Sequence, residues 1–155
     1  AVPHYLLGRV LHRNGKMSEA ESALRAAADY DPTNAEYPYT LALLYGEMNQ
    51  PENVLRELQK TVTLDPAFGR AWYNLGLAHA AANRLDEAAA ALIKAESLLP
   101  QSAEVPYALA TVHHRAGQPQ AARAAAGRAL IIDPGYGPAR QMLGSGPAPR
   151  EPDKE

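Results

Sequence analysis

Four tyrosines stand at one fixed interval: Tyr5, Tyr39, Tyr73 and Tyr107, each 34 residues after the last. A tyrosine offers a rigid apolar ring and a hydroxyl, which suits it to gripping a partner. The same ring suits the bland role of packing neighbouring helices together. Other side chains with reactive potential are less organised. His79 and His113 share the 34-residue interval, which reads as helix packing. His113 and His114 are adjacent and so face different sides of a helix. No HExxH pattern or nucleophile motif frames the Ser, Asp and His residues, so neither a metal site nor catalysis is expected. There is no cysteine, which excludes disulfides, thiolate metal sites and covalent haem attachment within these 155 residues. No cofactor is expected.

The interval has a scaffold behind it. Asp31-Pro32, Asp65-Pro66, Leu99-Pro100 and Asp133-Pro134 repeat at the same 34-residue spacing. A period of this size signals a repeat architecture. The copies run over residues 1–34, 35–68, 69–102 and 103–136. A capping helix over 137–144 and a Pro/Gly/charged tail over 145–155 follow. The tail composition predicts disorder unless a partner holds it.

Within each copy the pattern predicts two helices. In the first copy Leu7, Val10 and Leu11 have i, i+3, i+4 spacing and read as an inward stripe. Asn14-Gly15 supplies the break. Ser18 and Glu21 form a capping-box pattern for the second helix, whose stripe is Ala20, Leu24 and Ala27. Pro32 ends it. In the second copy Asn34 is the expected N-cap and Pro38 falls in the first turn. Breaks follow at Asn49-Gln50-Pro51, Asn83-Arg84 and Ala116-Gly117-Gln118-Pro119. Small residues at Gly8, Gly76, Ala20 and Ala88 let paired helices approach closely, with leucines filling the space between.

Net charge is −2 and the sequence pI is near 6.2. No footprint for nucleic acid or an anionic membrane stands out. No apolar run is long enough to span a bilayer. The chain opens at Ala1, at the first position of a copy, without Met or a signal peptide, which reads as a fragment or a processed chain. The expected compartment is soluble, in a bacterial cytoplasm or periplasm.

Trp72, Leu75-Gly76, Ala88, Leu92, Ala95 and Pro100 together resemble the signature of the tetratricopeptide repeat (TPR) family. Leu7-Gly8, Ala20, Leu24, Ala27 and Pro32 repeat most of it. Repeats two and four depart with Pro38 and Pro106 in place of the aromatic, and repeat two has Val54 and Thr61 where alanine is usual. The resemblance implies an all-α fold, a right-handed α-solenoid of antiparallel helix pairs. It also implies a concave groove lined by positions 2, 5, 6, 9, 12 and 13 of each repeat. The candidate partner-binding residues are therefore Tyr5, Arg9, Tyr39, Leu43, Tyr73, Asn74, Leu77, Tyr107, Thr111 and His114. Some TPR domains clamp a chaperone's C-terminal carboxylate with a Lys/Asn/Lys/Arg set. Only Asn74 matches that set, so this partner is not expected.

The expected function is a non-enzymatic interaction module holding a partner protein or peptide in the groove. One alternative is an assembly subunit of a larger complex, held by its convex face, ends and tail. Another is the TPR part of a bacterial multihaem cytochrome whose haem domain lies outside these residues.

Overall fold

A computed structural model describes residues 2–144. The 145–155 tail, and its expected disorder, lies outside the described residues. Among those described there are nine helices and no strand. They are α1 (Val2–Arg13), α2 (Met17–Tyr30), α3 (Glu36–Glu47), α4 (Pro51–Leu64), α5 (Gly69–Ala81), α6 (Leu85–Leu98), α7 (Glu104–Arg115), α8 (Pro119–Ile132) and α9 (Gly137–Gly144). The fold class is all-α, built of TPR-type helix pairs. Packing separates two compact parts, Ala1–Pro100 with α1–α6 and the part from Gln101 with α7–α9.

The turns show why the period is strict. Gly15, Asn49, Asn83 and Gly117, again 34 apart, all take positive φ, from 54° to 73°. This left-handed geometry reverses the chain between paired helices and is open chiefly to Gly and Asn. The Asp-Pro pairs carry a second device. Asp31 Oδ1 accepts from the Thr33 amide at 3.3 Å, Asp65 Oδ1 from Ala67 at 3.0 Å and Asp133 Oδ1 from Gly135 at 2.9 Å. The aspartate thus ties the link between repeats while the proline stops the helix. Repeat three has Leu99 instead, and its side chain packs against Gly69.

Within a repeat, the small residues act as their spacing predicts. A Cβ added to Gly8 would lie 2.7 Å from Leu24 Cγ, and one at Gly76 would lie 2.6 Å from Leu92 Cγ. Thr61, in an alanine position, is tolerated because its hydroxyl donates to the Glu57 carbonyl at 2.8 Å.

Two local expectations fail. The Ser18/Glu21 capping box does not form: Lys16 is the N-cap, and no side chain caps α2. Glu21 instead accepts from Arg25 Nε (2.9 Å) and the Tyr45 hydroxyl (2.8 Å), while Arg25 Nη2 donates to that hydroxyl at 2.7 Å. This closed triangle fastens α2 to α3, and its tertiary bonds outcompete a local cap. Burial, followed by the Glu21 bond, raises the Tyr45 pKa above its ordinary value. The Leu7–Val10 stripe is the second failure. Leu7 is 50% exposed and Val10 55%, because no second helix of a preceding repeat lies against α1 among the described residues. Asn34 acts nearly as expected: its Oδ1 accepts from the Glu36 amide at 3.0 Å, although Ala35 occupies the N-cap position.

His79 sits half-buried on α5 at the position Leu11 and Tyr45 hold in the first two repeats. Its Nδ1 is enclosed with no hydrogen-bond partner. Burial, the largest influence, pulls its pKa below the ordinary 6.5. Arg84 lowers it further and Glu87 opposes this. The folded state therefore binds fewer protons than the unfolded chain around that pH. Stability should be fullest above the ordinary value and decline as pH falls through it. Melting temperatures taken at about pH 7.5 and about pH 5.5 should differ more for the native chain than for His79→Leu. An equal difference would show that His79 contributes none of the acid sensitivity.

Candidate functional site

The first three repeats form a concave recess of about 700 Å³. It is lined by α1, α3 and the start of α5. Tyr5, Arg9, Tyr39 and Leu43 from the candidate set are brought together here, with Leu6, Val10, His12, Arg13, Glu36, Thr40 and Arg70. Helical geometry explains the set: residues three or four apart share a face, so Tyr5, Arg9 and His12 or Arg13 line one side of α1.

The tyrosines are engaged within the fold to different extents. Tyr39 is only 9% exposed, and its ring lies 4.7 Å from that of Phe68. Tyr5 stacks at a tilt on Tyr37 with 5.2 Å between centroids, and Tyr107 meets Tyr136 edge-on at 5.5 Å. The hydroxyls point toward the next repeat: Asn74 Nδ2 donates to Tyr39 at 3.2 Å, and Thr40 Oγ1 reaches Tyr5 at 3.5 Å. The position filled by Thr40 and Asn74 is Ala108 in repeat four, so this pairing belongs to the first three repeats. Packing therefore engages the ring of Tyr39, the other role its interval allows, and the residue also lines the recess. Asn74 is likewise committed by one amide hydrogen to holding Tyr39.

The remaining candidates are distributed as follows. Tyr73 is half-buried, and Leu43 and Leu77 are exposed large apolar residues. Tyr107, Thr111 and His114 lie on α7, in the second compact part. Thr111 donates to the Ala108 carbonyl at 2.7 Å, and His114 is exposed.

Charge is the feature the candidate set under-represented. The recess carries Arg9, Arg13, Arg70 and His12 against one acid, Glu36. Arg9 lies over the Tyr5 ring at 5.6 Å, a cation–π contact. His12 Nε2 is 2.8 Å from Glu47. Among the described residues the side chains of Arg13 and Arg70 make no hydrogen bond or ion pair, and both residues are exposed. The sequence signal was present, since these arginines hold groove positions, but the near-neutral net charge masked the local excess.

No group of three or more metal-ligating side chains occurs among the described residues. No described helix is long and apolar enough to cross a membrane.

Helix pairs on a 34-residue period, with a small buried residue (Gly8, Ala42, Gly76 or Ala110) in the first helix of each pair and a concave recess lined by α1, α3 and α5, define a TPR-type repeat protein. Tetratricopeptide repeat profiles match residues 2–34, 39–103 and 107–128, and the chain belongs to this family. Two crystal structures of MamA are similar. One has 28% identity and a TM-score of 0.84, covering 88% of this chain and 80% of that one. The other has 27% identity and a TM-score of 0.87, covering 92% and 78%. The structure of YrrB, described as a TPR protein with an unusual peptide-binding site, is 22% identical with a TM-score of 0.79 over 89% of this chain and 71% of that one. No curated protein matches the sequence.

Proposed function

We propose that this chain is a non-enzymatic protein-interaction module whose first three repeats hold a peptide segment of a partner protein. TPR membership supports the general reading, and a peptide-binding site in the similarly folded YrrB is consistent with it. The observation that carries the specific reading is the recess lining. Its arginines outnumber its acids, and exposed Leu6, Val10 and Leu43 lie among them. Such a surface suits a segment combining carboxylates with apolar side chains. Arg13 and Arg70 would supply attraction and orientation, and the apolar residues contact area.

Tyr73 and Leu77, on α5, would extend the contact beyond the recess lining. Tyr73→Ala should weaken partner binding by about 2 kcal/mol.

Fluorescence anisotropy tests the charge preference with two labelled peptides of alternating leucine and charged residues, one glutamate-based and one lysine-based. The glutamate peptide should bind, more weakly as salt is raised, and the lysine peptide should not. The Arg13→Glu/Arg70→Glu variant should lose about tenfold in affinity with an unchanged melting temperature. Equal affinity for both peptides, or no loss in the variant, would overturn the reading.

A further inference from the structure

Position 9 is apolar in the second and third repeats and cationic in the first. Leu43 and Leu77 are exposed there on α3 and α5, and Arg9 holds the same register on α1. Arg9 is exposed, and among the described residues its side chain makes no hydrogen bond or ion pair. What steadies it is the Tyr5 ring, over which its guanidinium lies at 5.6 Å. That ring is itself a fixed platform: Tyr37 packs on it at 5.2 Å, and Thr40 reaches its hydroxyl at 3.5 Å.

The surroundings of this cation are apolar. Leu6 lies one helical turn before it, Val10 follows it in the chain, and Leu43 of α3 lines the same recess. All three are exposed large apolar side chains. A partner group that covers them also takes water from the guanidinium. An aliphatic group gives nothing back for that loss, and dehydrating an unpaired cation is costly. An aromatic ring covers the same walls and offers its electron-rich face to the charge. Arginine suits this role, because its planar guanidinium is weakly hydrated and stacks on aromatic faces.

We propose that Arg9 selects an aromatic side chain in the bound segment. The ring seats on the side of the guanidinium away from Tyr5, so that the cation is held between two aromatic groups. This rests on the peptide reading of the recess and narrows its ligand: the segment carries an aromatic residue as well as carboxylates. The arginines divide the work. Arg13 and Arg70 have no ring beneath them among the described residues and attract carboxylates. Arg9, with Leu6, Val10 and Leu43 around it, takes the ring, and a recess of about 700 Å³ has room for one.

The test uses the labelled glutamate–leucine peptide with its central leucine replaced by phenylalanine, pentafluorophenylalanine or cyclohexylalanine. The three side chains fill similar space, but only phenylalanine has an electron-rich face. Fluorination reverses the ring quadrupole, and saturation removes it. By fluorescence anisotropy phenylalanine should bind about three- to fivefold tighter than either analogue, although cyclohexylalanine is the more hydrophobic. In Arg9→Met, a change at an exposed site that should leave the melting temperature unaltered, the peptides should still bind and the advantage of phenylalanine should vanish. Equal or tighter binding of the analogues to the native chain, or the same advantage in Arg9→Met, would overturn this inference and leave the peptide reading standing. Binding of none of the three peptides to the native chain would overturn both.

Discussion

Leu92→Ala is expected to cost about 2–5 kcal/mol of folding stability, read from the midpoint of urea unfolding. Leu92 is fully buried between the helices of the third repeat, where Gly76 leaves the room it occupies. The converse substitution, Gly76→Ala, places a Cβ 2.6 Å from Leu92 Cγ. It should cost about 1–3 kcal/mol through overpacking. The pair gives a sharper result than either change alone. With Leu92 truncated the new methyl meets only the Ala88 carbonyl oxygen, at 3.2 Å, so Gly76→Ala should cost much less in the Leu92→Ala background. A coupling of about 1–3 kcal/mol is expected. Strict additivity would mean that the two residues do not share one volume. The same cycle should hold at Gly8 and Leu24, where the gap is 2.7 Å.

The second large effect concerns Tyr39. Tyr39→Ala is expected to destabilise the fold by about 3–5 kcal/mol, because it removes a buried ring packed on Phe68 and leaves Asn74 without its acceptor. Tyr39→Phe keeps the ring and loses only the hydroxyl, so about 1 kcal/mol is expected. Thermal melts of the two variants separate packing from hydrogen bonding. A Tyr39→Ala protein melting like the native chain would show that this ring contributes little to the packing of the fold.

Much of this molecule was legible because a repeat writes the same constraint several times. The prolines fixed helix ends, since the residue before proline avoids the α region. Gly15, Asn49, Asn83 and Gly117 marked turns because few residues accept positive φ. The failures came where one position has different neighbours in different copies. Leu7 and Leu41 are identical in the linear pattern, yet one is bare and one enclosed, because α2 lies against Leu41 and no such helix lies against Leu7 among the described residues. Ser18 and Glu21 matched a capping box, but Arg25 one turn on and Tyr45 from across the interface made stronger claims on Glu21.

The candidate site divides along the same line. The sequence by itself determined the fold class, the repeat register and the period of the tyrosines, because helix caps, breakers and small-residue contacts act over at most a few turns. Only the tertiary structure decided which tyrosines are enclosed, which arginines share a recess and which apolar stripe is open. Those properties depend on what the neighbouring helix presents, and an i, i+34 relation fixes a residue's place in its own repeat without fixing what lies opposite it.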